Sequence, residues 1–410
     1  MKSLLRPGGV VLSAGLAVTL LAACSSADPE SSSTTTSDTP VPAEPAETSA
    51  AQPRLALTYD GGILVVDATD LAVVADLPLN GFNRLNPAGD GRHVFVTTSG
   101  GFRALDTGSW SETHGDHAHH YAGDPAWTDA EFAADKPGHV VAHAGRTALF
   151  DDGTGRIELL DPAGLADGAP EIEAVALPDA HHGVAVPLAD GGLLVTLGNS
   201  DSRNGIAVLD ASGTEITRNE QCPGVHGEAT ARDDTVVVGC EDGMLVYRNG
   251  TITKITAPDP YARLGNQAGS ATSEVVLGDY KTDPNAELER PERIALVNTA
   301  TAELRLVDLG TSYTFRSLGR GPDGEALVLG TDGNLHVVDE HSGEVIRKIA
   351  VVDPWTEPDE WQQPRPALAV RGGTAFVTDP ADDELHAVDL ATGAVTTGTL
   401  PQTPNEISRT

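Results

Sequence analysis

Basic residues are scarce in this chain of 410 residues, in which 26 Lys and Arg stand against 60 Asp and Glu, a formal net charge of −34. Such an acidic polypeptide repels nucleic acid and anionic lipid surfaces, so the composition excludes functions that depend on binding either of them. Its field would instead concentrate cations, weakly and without specificity. Acidic surfaces are also a common means of staying soluble, so the charge favours metal handling only slightly.

Cysteine is rare as well, with three residues in the whole chain. Cys24 ends an apolar segment that follows Lys2 and Arg6 and closes with the letters LAAC. This order predicts a signal peptide over residues 1–23, and its last letters resemble the bacterial lipobox, in which the cysteine is lipidated. An ordinary cleaved signal peptide with an incidental cysteine is the alternative. We therefore expect an extracytoplasmic protein, in the periplasm or at the cell surface, held to the cell membrane by lipid on Cys24.

Large apolar residues are few in residues 24–53, which are rich in Ser, Thr, Pro and acidic residues. Such a segment buries too little surface to offset its chain entropy, so the sequence predicts a disordered tether there. Residues 54–410 then form the folded part. They contain Cys222 and Cys240, which most simply form one disulfide in an exported protein, with a thiolate metal site as the alternative.

Helical periodicity is missing from residues 54–410, which argues against parallel α/β folds because these need crossover helices. One pattern recurs instead: an apolar strand, a turn with Gly or Asp, and a second apolar strand, as in LALTYDGGILVVD at 55–67 and ALVLGTDGNLHVVD at 326–339. Alternating Val, Leu and Ile around such turns is typical of β-hairpins. The copies recur about every 46 residues, which is the spacing of four-stranded propeller blades.

These repeats predict an all-β fold with a single β-propeller of eight blades, or of seven if two hairpins share one blade. A short strand precedes each hairpin except the first, and PNEIS at 404–408 supplies a candidate for the missing one. The ring would then close by joining the N- and C-terminal strands, which removes the exposed edges of an open sheet.

The start of each inner strand should face the opening of the central channel, at one position in each blade. Three consecutive blades carry His139, His182 and His226 at that position. Symmetry would make them neighbours on one rim, although they lie far apart in the sequence. The other aligned positions carry Asn or Arg, namely Asn83, approximately Asn266, Arg316, Arg365 and Asn405.

A second concentration of histidine lies in SETHGDHAHHYAGDPAW at 111–127, the longest gap in the repeat. Its five candidate ligands are His114, Asp116, His117, His119 and His120. The segment is typical of a flexible metal-binding loop, and we expect it to fold over the rim so that loop and rim form one site. Zinc takes three or four imidazole ligands, although any single histidine could equally be structural or solvated. Glu228 is a candidate acceptor for the ring N–H of His226.

Catalytic signatures are absent from the sequence, which has no HExxH, no GxSxG and no phosphate-binding loop. We therefore predict a protein that is not an enzyme. A metal-dependent propeller enzyme stays an alternative because catalytic zinc also uses three histidines and an open position. The second alternative is a surface interaction or scaffold propeller without metal.

Four segments, HGDHAHHY, PGHVVAHAG, HHGVAVP and CPGVHGEA, resemble the bacterial zinc metallochaperone family AztD. Its members are extracytoplasmic β-propellers that bind zinc and pass it to the solute-binding protein of a zinc ABC transporter. The resemblance implies the same role for this chain, with Zn²⁺ as its cargo. We expect the protein to be a monomer. The resemblance places in the zinc sites the residues His117, His119, His139, His182 and His226, together with Asp116. Residues 24–53 depart from the family, because they lack the histidines of its N-terminal motif.

Overall fold

The computed structural model describes residues 45–410. The predicted signal peptide and Cys24 lie outside the described residues. Within the described range, no helix has the length and apolar character needed to cross a membrane.

Strands make up nearly all the regular structure, and the described residues add one short 3₁₀ helix at Pro162–Asp167. The first strands are β1 (Ala46–Thr48), β2 (Arg54–Tyr59), β3 (Gly61–Asp67), β4 (Val73–Leu79), β5 (Arg84–Pro87), β6 (His93–Thr98), β7 (Gly101–Asp106), β8 (Ser109–His114), β9 (His117–Ala122), β10 (Ala126–Ala133), β11 (Pro137–His143) and β12 (Arg146–Asp151). They are followed by β13 (Arg156–Leu160), β14 (Ile172–Ala176), β15 (Ala185–Pro187), β16 (Leu193–Gly198), β17 (Arg203–Leu209), β18 (Glu215–Asn219), β19 (His226–Ala231), β20 (Thr235–Cys240), β21 (Gly243–Arg248), β22 (Thr251–Thr256), β23 (Gln267–Ala268) and β24 (Val275–Asp279). The last are β25 (Arg293–Asn298), β26 (Glu303–Asp308), β27 (Leu318–Arg320), β28 (Ala326–Leu329), β29 (Asn334–Val338), β30 (Val345–Ala350), β31 (Leu368–Arg371), β32 (Thr374–Asp379), β33 (Glu384–Asp389), β34 (Val395–Thr399) and β35 (Ile407–Arg409).

Eight four-stranded antiparallel sheets account for most of these strands. Six of them take four consecutive strands each, from β11–β14 through β31–β34. The second sheet has the order β10-β7-β6-β5, because a hairpin is inserted before its outermost strand. The first sheet has the order β35-β2-β3-β4, in which Leu57 pairs with Ile407. The C-terminal strand therefore supplies the innermost strand of the first sheet, as predicted.

Successive residues of one strand are buried in different interfaces, because side chains alternate between the two faces of a sheet. In β2, Leu55 and Leu57 pack with Phe376 of the last sheet, whereas Ala56 packs with Leu85 of the second. The described residues form eight such apolar clusters, one between each pair of neighbouring sheets and one between the last sheet and the first. The prediction of an all-β propeller is confirmed, and eight sheets is the number that the eight-blade alternative requires.

Two segments predicted to be irregular contain strands. The histidine-rich segment at 111–127 was predicted as a flexible loop, but most of it forms the antiparallel hairpin β8–β9, which turns at Gly115 and Asp116. Residues 24–53 were predicted as a disordered tether, but Ala46–Thr48 pairs with β9 and makes a three-stranded sheet. The polar composition of both segments hid these strands, and the pairing of β1 with β9 joins segments too far apart in the sequence to leave a signal in local hydrophobicity.

Candidate metal centre

Three imidazoles converge where the inner strands of three consecutive sheets begin. Nitrogen atoms of His139, His182 and His226 all lie within 4.8 Å of one another. The ring of His182 is centred 5.1 Å from that of His139 and 5.0 Å from that of His226, and the third pair is 5.5 Å apart. The structure thus brings together the three histidines that the repeat alignment placed on one rim.

The nitrogen spacing suits a tetrahedral ion. Nε2 of His182 and Nε2 of His226 lie 3.1 Å apart. Two nitrogens each bound to zinc at about 2.0–2.1 Å in tetrahedral geometry are separated by roughly 3.3 Å. An ion can therefore enter between these two rings with only a small movement of the side chains.

The opposite nitrogens of the same two rings face fixed acceptors. His182 Nδ1 lies 2.5 Å from Oδ2 of Asp152, and His226 Nδ1 lies 2.8 Å from the backbone oxygen of Gly265. A ring that donates from Nδ1 carries its lone pair on Nε2, the atom that points into the centre. Both acceptors therefore select the tautomer that binds a metal.

Glu228 contacts the ring of His139 and not, as the sequence suggests, that of His226. Its Oε2 lies 3.4 Å from Nδ1 of His139, whereas the sequence had suggested it as a partner of His226. The pairing of β19 with β20 shifts register between His226 and Glu228, so the two side chains do not keep the simple alternation of a regular strand. The carboxylate is thus turned towards the neighbouring blade.

The pKa of His226 lies well below the usual imidazole value. Partial burial is the larger cause, and the nearby ring of His139 adds to it. The lowered pKa keeps this ring neutral at neutral pH, and the neutral ring is the form that binds a metal ion.

Asp152, the acceptor of His182, is a residue of the centre that the sequence does not predict. It follows β12 in a turn, where its Oδ1 accepts from the backbone N–H of Gly183 at 3.2 Å while Oδ2 faces His182. Gly138 lies alongside, and a Cβ added there would come within 2.3 Å of Oδ1 of Asp152. Glycine at 138 therefore leaves the room that this carboxylate occupies. A repeat alignment restricted to inner strands does not examine the turn that contains Asp152.

Gly227 provides a first test of how the centre is held. Its φ is +69°, and an added Cβ would lie 2.4 Å from the oxygen of Gly265, the acceptor of His226. We expect Gly227→Ala to lower the free energy of unfolding by about 1–3 kcal/mol and to weaken zinc binding. Gly250→Ala is the control, because Gly250 has φ +77° and no atom within 4 Å of its added Cβ. Equal zinc affinities of the two variants, measured by competition with a chelating indicator, would contradict this account.

The predicted disulfide between Cys222 and Cys240 is present. Cys222 lies just ahead of β19, and Cys240 ends β20 beside Gly239, the residue that pairs with His226. The bridge therefore ties the segment that leads into His226 to the neighbouring strand of the same sheet.

Removal of this bridge is expected to affect both the fold and the metal centre. The disulfide closes a loop with a sequence separation of 18 residues. Replacing both Cys222 and Cys240 by Ala should lower the free energy of unfolding by about 3 kcal/mol, because the unfolded chain gains freedom. Zinc affinity should fall as well, since His226 loses one of its restraints. Urea unfolding and zinc titration measure the two effects separately, and an unchanged affinity would limit the role of the bridge to the fold.

The histidine-rich hairpin lies at the other end of its sheet. It leaves β7 at Asp106 and returns at Ala126, two residues that pair with each other. The inner strand of that sheet begins at Arg84, which pairs with Thr97 at the far end of β6. Because the metal centre lies where inner strands begin, the hairpin emerges from the opposite side of the ring. This strand order contradicts the expectation that the histidine-rich segment and the rim histidines form one site.

The hairpin side chains are exposed or half-buried and form their own group. The rings of His117 and His119 are centred 5.1 Å apart. His117 Nδ1 lies 3.3 Å from Oδ1 of Asp116, and His119 Nδ1 lies 2.6 Å from Oε1 of Glu47 in β1. His120, by contrast, contacts Ser111 across the hairpin at 2.7 Å. The structure thus divides the six predicted ligands into two groups of three, and their binding of metal stays a prediction.

Most other histidines have partners of their own, as structural residues do. These contacts are His93 with Asp90, His143 with the oxygen of Pro187, His181 with Thr196, His336 with Asp332, and His386 with Thr397. Two further aligned rim residues, Arg316 and Asn405, contact each other directly, which agrees with a common rim.

The chain is similar to a known zinc chaperone in sequence and in structure. No family model matches the chain. The zinc chaperone AztD of Citrobacter koseri is 28% identical over 338 residues, which cover 79% of this chain and 78% of that protein. A crystal structure of Citrobacter koseri AztD superposes with a TM-score of 0.78 at 27% identity, covering 88% of this chain and 98% of that chain. Its apo form gives 0.76 at 26% identity with the same coverage. A computationally designed protein, Ika8, gives 0.52 at 14% identity over 86% of this chain and 95% of that chain, a likeness of fold alone.

Proposed function

We propose that this chain, a relative of the zinc chaperone AztD in sequence and in structure, captures Zn²⁺ and hands it to the solute-binding protein of a zinc ABC transporter. The observation that carries the proposal is the convergence of His139, His182 and His226 within 4.8 Å. The relative is named as a chaperone and not as an enzyme, which supports a function without catalysis.

Three imidazoles leave one position of a tetrahedral ion open, and this position serves the handover. The side chain of His182 is 45% exposed, whereas that of His139 is 23% exposed, so the centre can be approached from the side of His182. A ligand of the receiving protein can bind the open position before a histidine leaves. The ion is then exchanged directly and is not released to water.

The proposal assigns a second, more accessible set of ligands to the hairpin, in His117, His119 and Asp116. Their side chains are exposed, so they can capture an ion without any opening of the protein. The proposal also includes export of a monomeric protein and lipidation of Cys24, which would hold the propeller at the outer side of the cell membrane.

A transfer assay tests the function. The purified protein is first analysed for zinc by elemental analysis, then loaded with the ion and mixed with the apo form of a zinc-transporter solute-binding protein. An excess of EDTA is present in solution throughout. We expect the solute-binding protein to receive zinc faster than EDTA removes it, because direct exchange bypasses the free ion. Complete interception of the zinc by EDTA would contradict the handover.

A further inference from the structure

We infer that the hairpin holds its zinc ion together with Glu47 of β1, so that the ion fastens this N-terminal strand to the propeller. The inference rests on the proposed function for the identity of the ion. It adds a ligand, Glu47, that neither the repeat nor the histidine-rich motif indicates.

The register of the hairpin places its candidate ligands on one face. Glu112 pairs with His119, and His114 pairs with His117. Paired residues project to the same side of an antiparallel sheet, and so do residues two apart along a strand. These four side chains therefore form a single exposed group. The ring of His114 is centred 5.2 Å from that of His119 and 6.4 Å from that of His117.

The strand β1 adds a carboxylate to this group. Glu47 pairs with Tyr121, which follows His119 by two residues and so lies on the same face. Oε1 of Glu47 lies 2.6 Å from Nδ1 of His119, a contact between residues 72 positions apart in the sequence. Imidazole nitrogen and carboxylate oxygen are both ligands that zinc accepts.

Zinc can replace the proton that joins Glu47 to His119. In the absence of metal, the imidazole donates its N–H to the carboxylate. Rotation of either side chain lets Nδ1 and the carboxylate oxygen bind one ion at about 2.0–2.2 Å. A neutral ring then carries its proton on Nε2, and a protonated ring in addition releases one proton to solvent. The Glu47 side chain is 60% exposed and that of His119 is 38% exposed, so both are free to rotate. His117 and His114, whose rings are centred 5.1 and 5.2 Å from that of His119, are the candidates to complete the set after a further movement of their side chains.

The strand β1 is so short that a bound ion would add substantially to its attachment. β1 has three residues, and it pairs along only one side, with β9. Strands this short at a sheet edge add little stability from backbone pairing alone. An ion bound by both strands adds a cross-link that the backbone lacks. Zinc occupancy of the hairpin and pairing of β1 are therefore coupled.

Hydrogen exchange of the whole protein tests this coupling. The backbone amides of β1 are followed by mass spectrometry with and without Zn²⁺, in wild type and in a variant with Ala at His139, His182 and His226. We expect zinc to slow exchange at these amides in both proteins. Glu47→Gln should abolish the slowing and weaken zinc binding at the hairpin by about tenfold or more. Glu171→Gln, which removes the same charge at an exposed position elsewhere, should change neither.

Two results would overturn the inference. One is exchange at β1 that does not respond to zinc in the wild type, and the other is slowing by zinc that survives Glu47→Gln. If the variant at the three rim histidines fails to fold, the comparison of wild type with Glu47→Gln still decides, because Glu47 is exposed. Failure of the transfer assay with zinc-dependent protection of β1 intact would count against the proposed function and not against this site.

Discussion

Replacement of His139, His182 and His226 together by Ala will weaken zinc binding at the rim by more than about a thousandfold, because it removes every imidazole of the centre. Competition with a chelating indicator measures the change, since direct titration fails for tight sites. The hairpin remains, so one weaker and more accessible site should persist in the variant.

Two controls separate this loss of binding from damage to the fold. His341→Ala removes a histidine whose side chain is 76% exposed and lies outside both groups, so zinc affinity should not change. Urea unfolding of the triple variant should give nearly the wild-type free energy, because its three histidines lie partly in solvent. If the triple variant binds zinc as tightly as the wild type, the rim is not the site and the hairpin must hold the ion.

Acidification from pH 7.5 to 5.5 is expected to weaken zinc binding at the rim by at least roughly tenfold, since an ordinary imidazole takes up a proton near pH 6.5 and its protonated ring cannot bind metal. The lowered pKa of His226, caused by burial and by His139, keeps that ligand neutral further into acid. Fewer than three protons should therefore be taken up for each zinc ion released.

Calorimetric titration in buffers of different ionisation enthalpy gives the number of protons directly. The measurement is best made with His117→Ala and His119→Ala in place, so that only the rim contributes. An affinity that is constant over this pH range, or an uptake of three protons per ion, would contradict the assigned ligands or the neutral state of His226.

The rim centre could be predicted from sequence because a repeat converts distant positions into neighbours. His139, His182 and His226 occupy equivalent places in three successive blades, and ring symmetry then sets them side by side. Asp152 could not be found in that way, because it acts on the centre from a turn outside the aligned positions. Gly265 directly precedes the approximately aligned Asn266, but it acts through its backbone oxygen, which a comparison of side chains does not reveal.

For the hairpin, the ligands could be predicted from sequence but their location could not. Its histidines are obvious in the sequence, yet their position relative to the rim depends on the direction of β7, which runs away from the side where inner strands begin. Glu47 was hidden for a different reason. It joins the group through backbone pairing of three residues, a contact that neither periodicity nor composition records.

The pairing of Leu57 with Ile407 makes one interface of the ring unlike the other seven. Those seven join sheets that follow each other in the chain, so each can assemble once its second sheet exists, although the first sheet still lacks its innermost strand, β35, at that stage. The eighth must wait until almost the whole polypeptide is in place, and its sequence-distant contacts slow folding. The entropy cost of closing this long loop is only modestly larger than that of a short one, because the cost grows with the logarithm of loop length. We expect the ring to open first between the last and the first sheet when the protein is heated or stretched, because this closure depends on the three residue pairs that join β35 to β2.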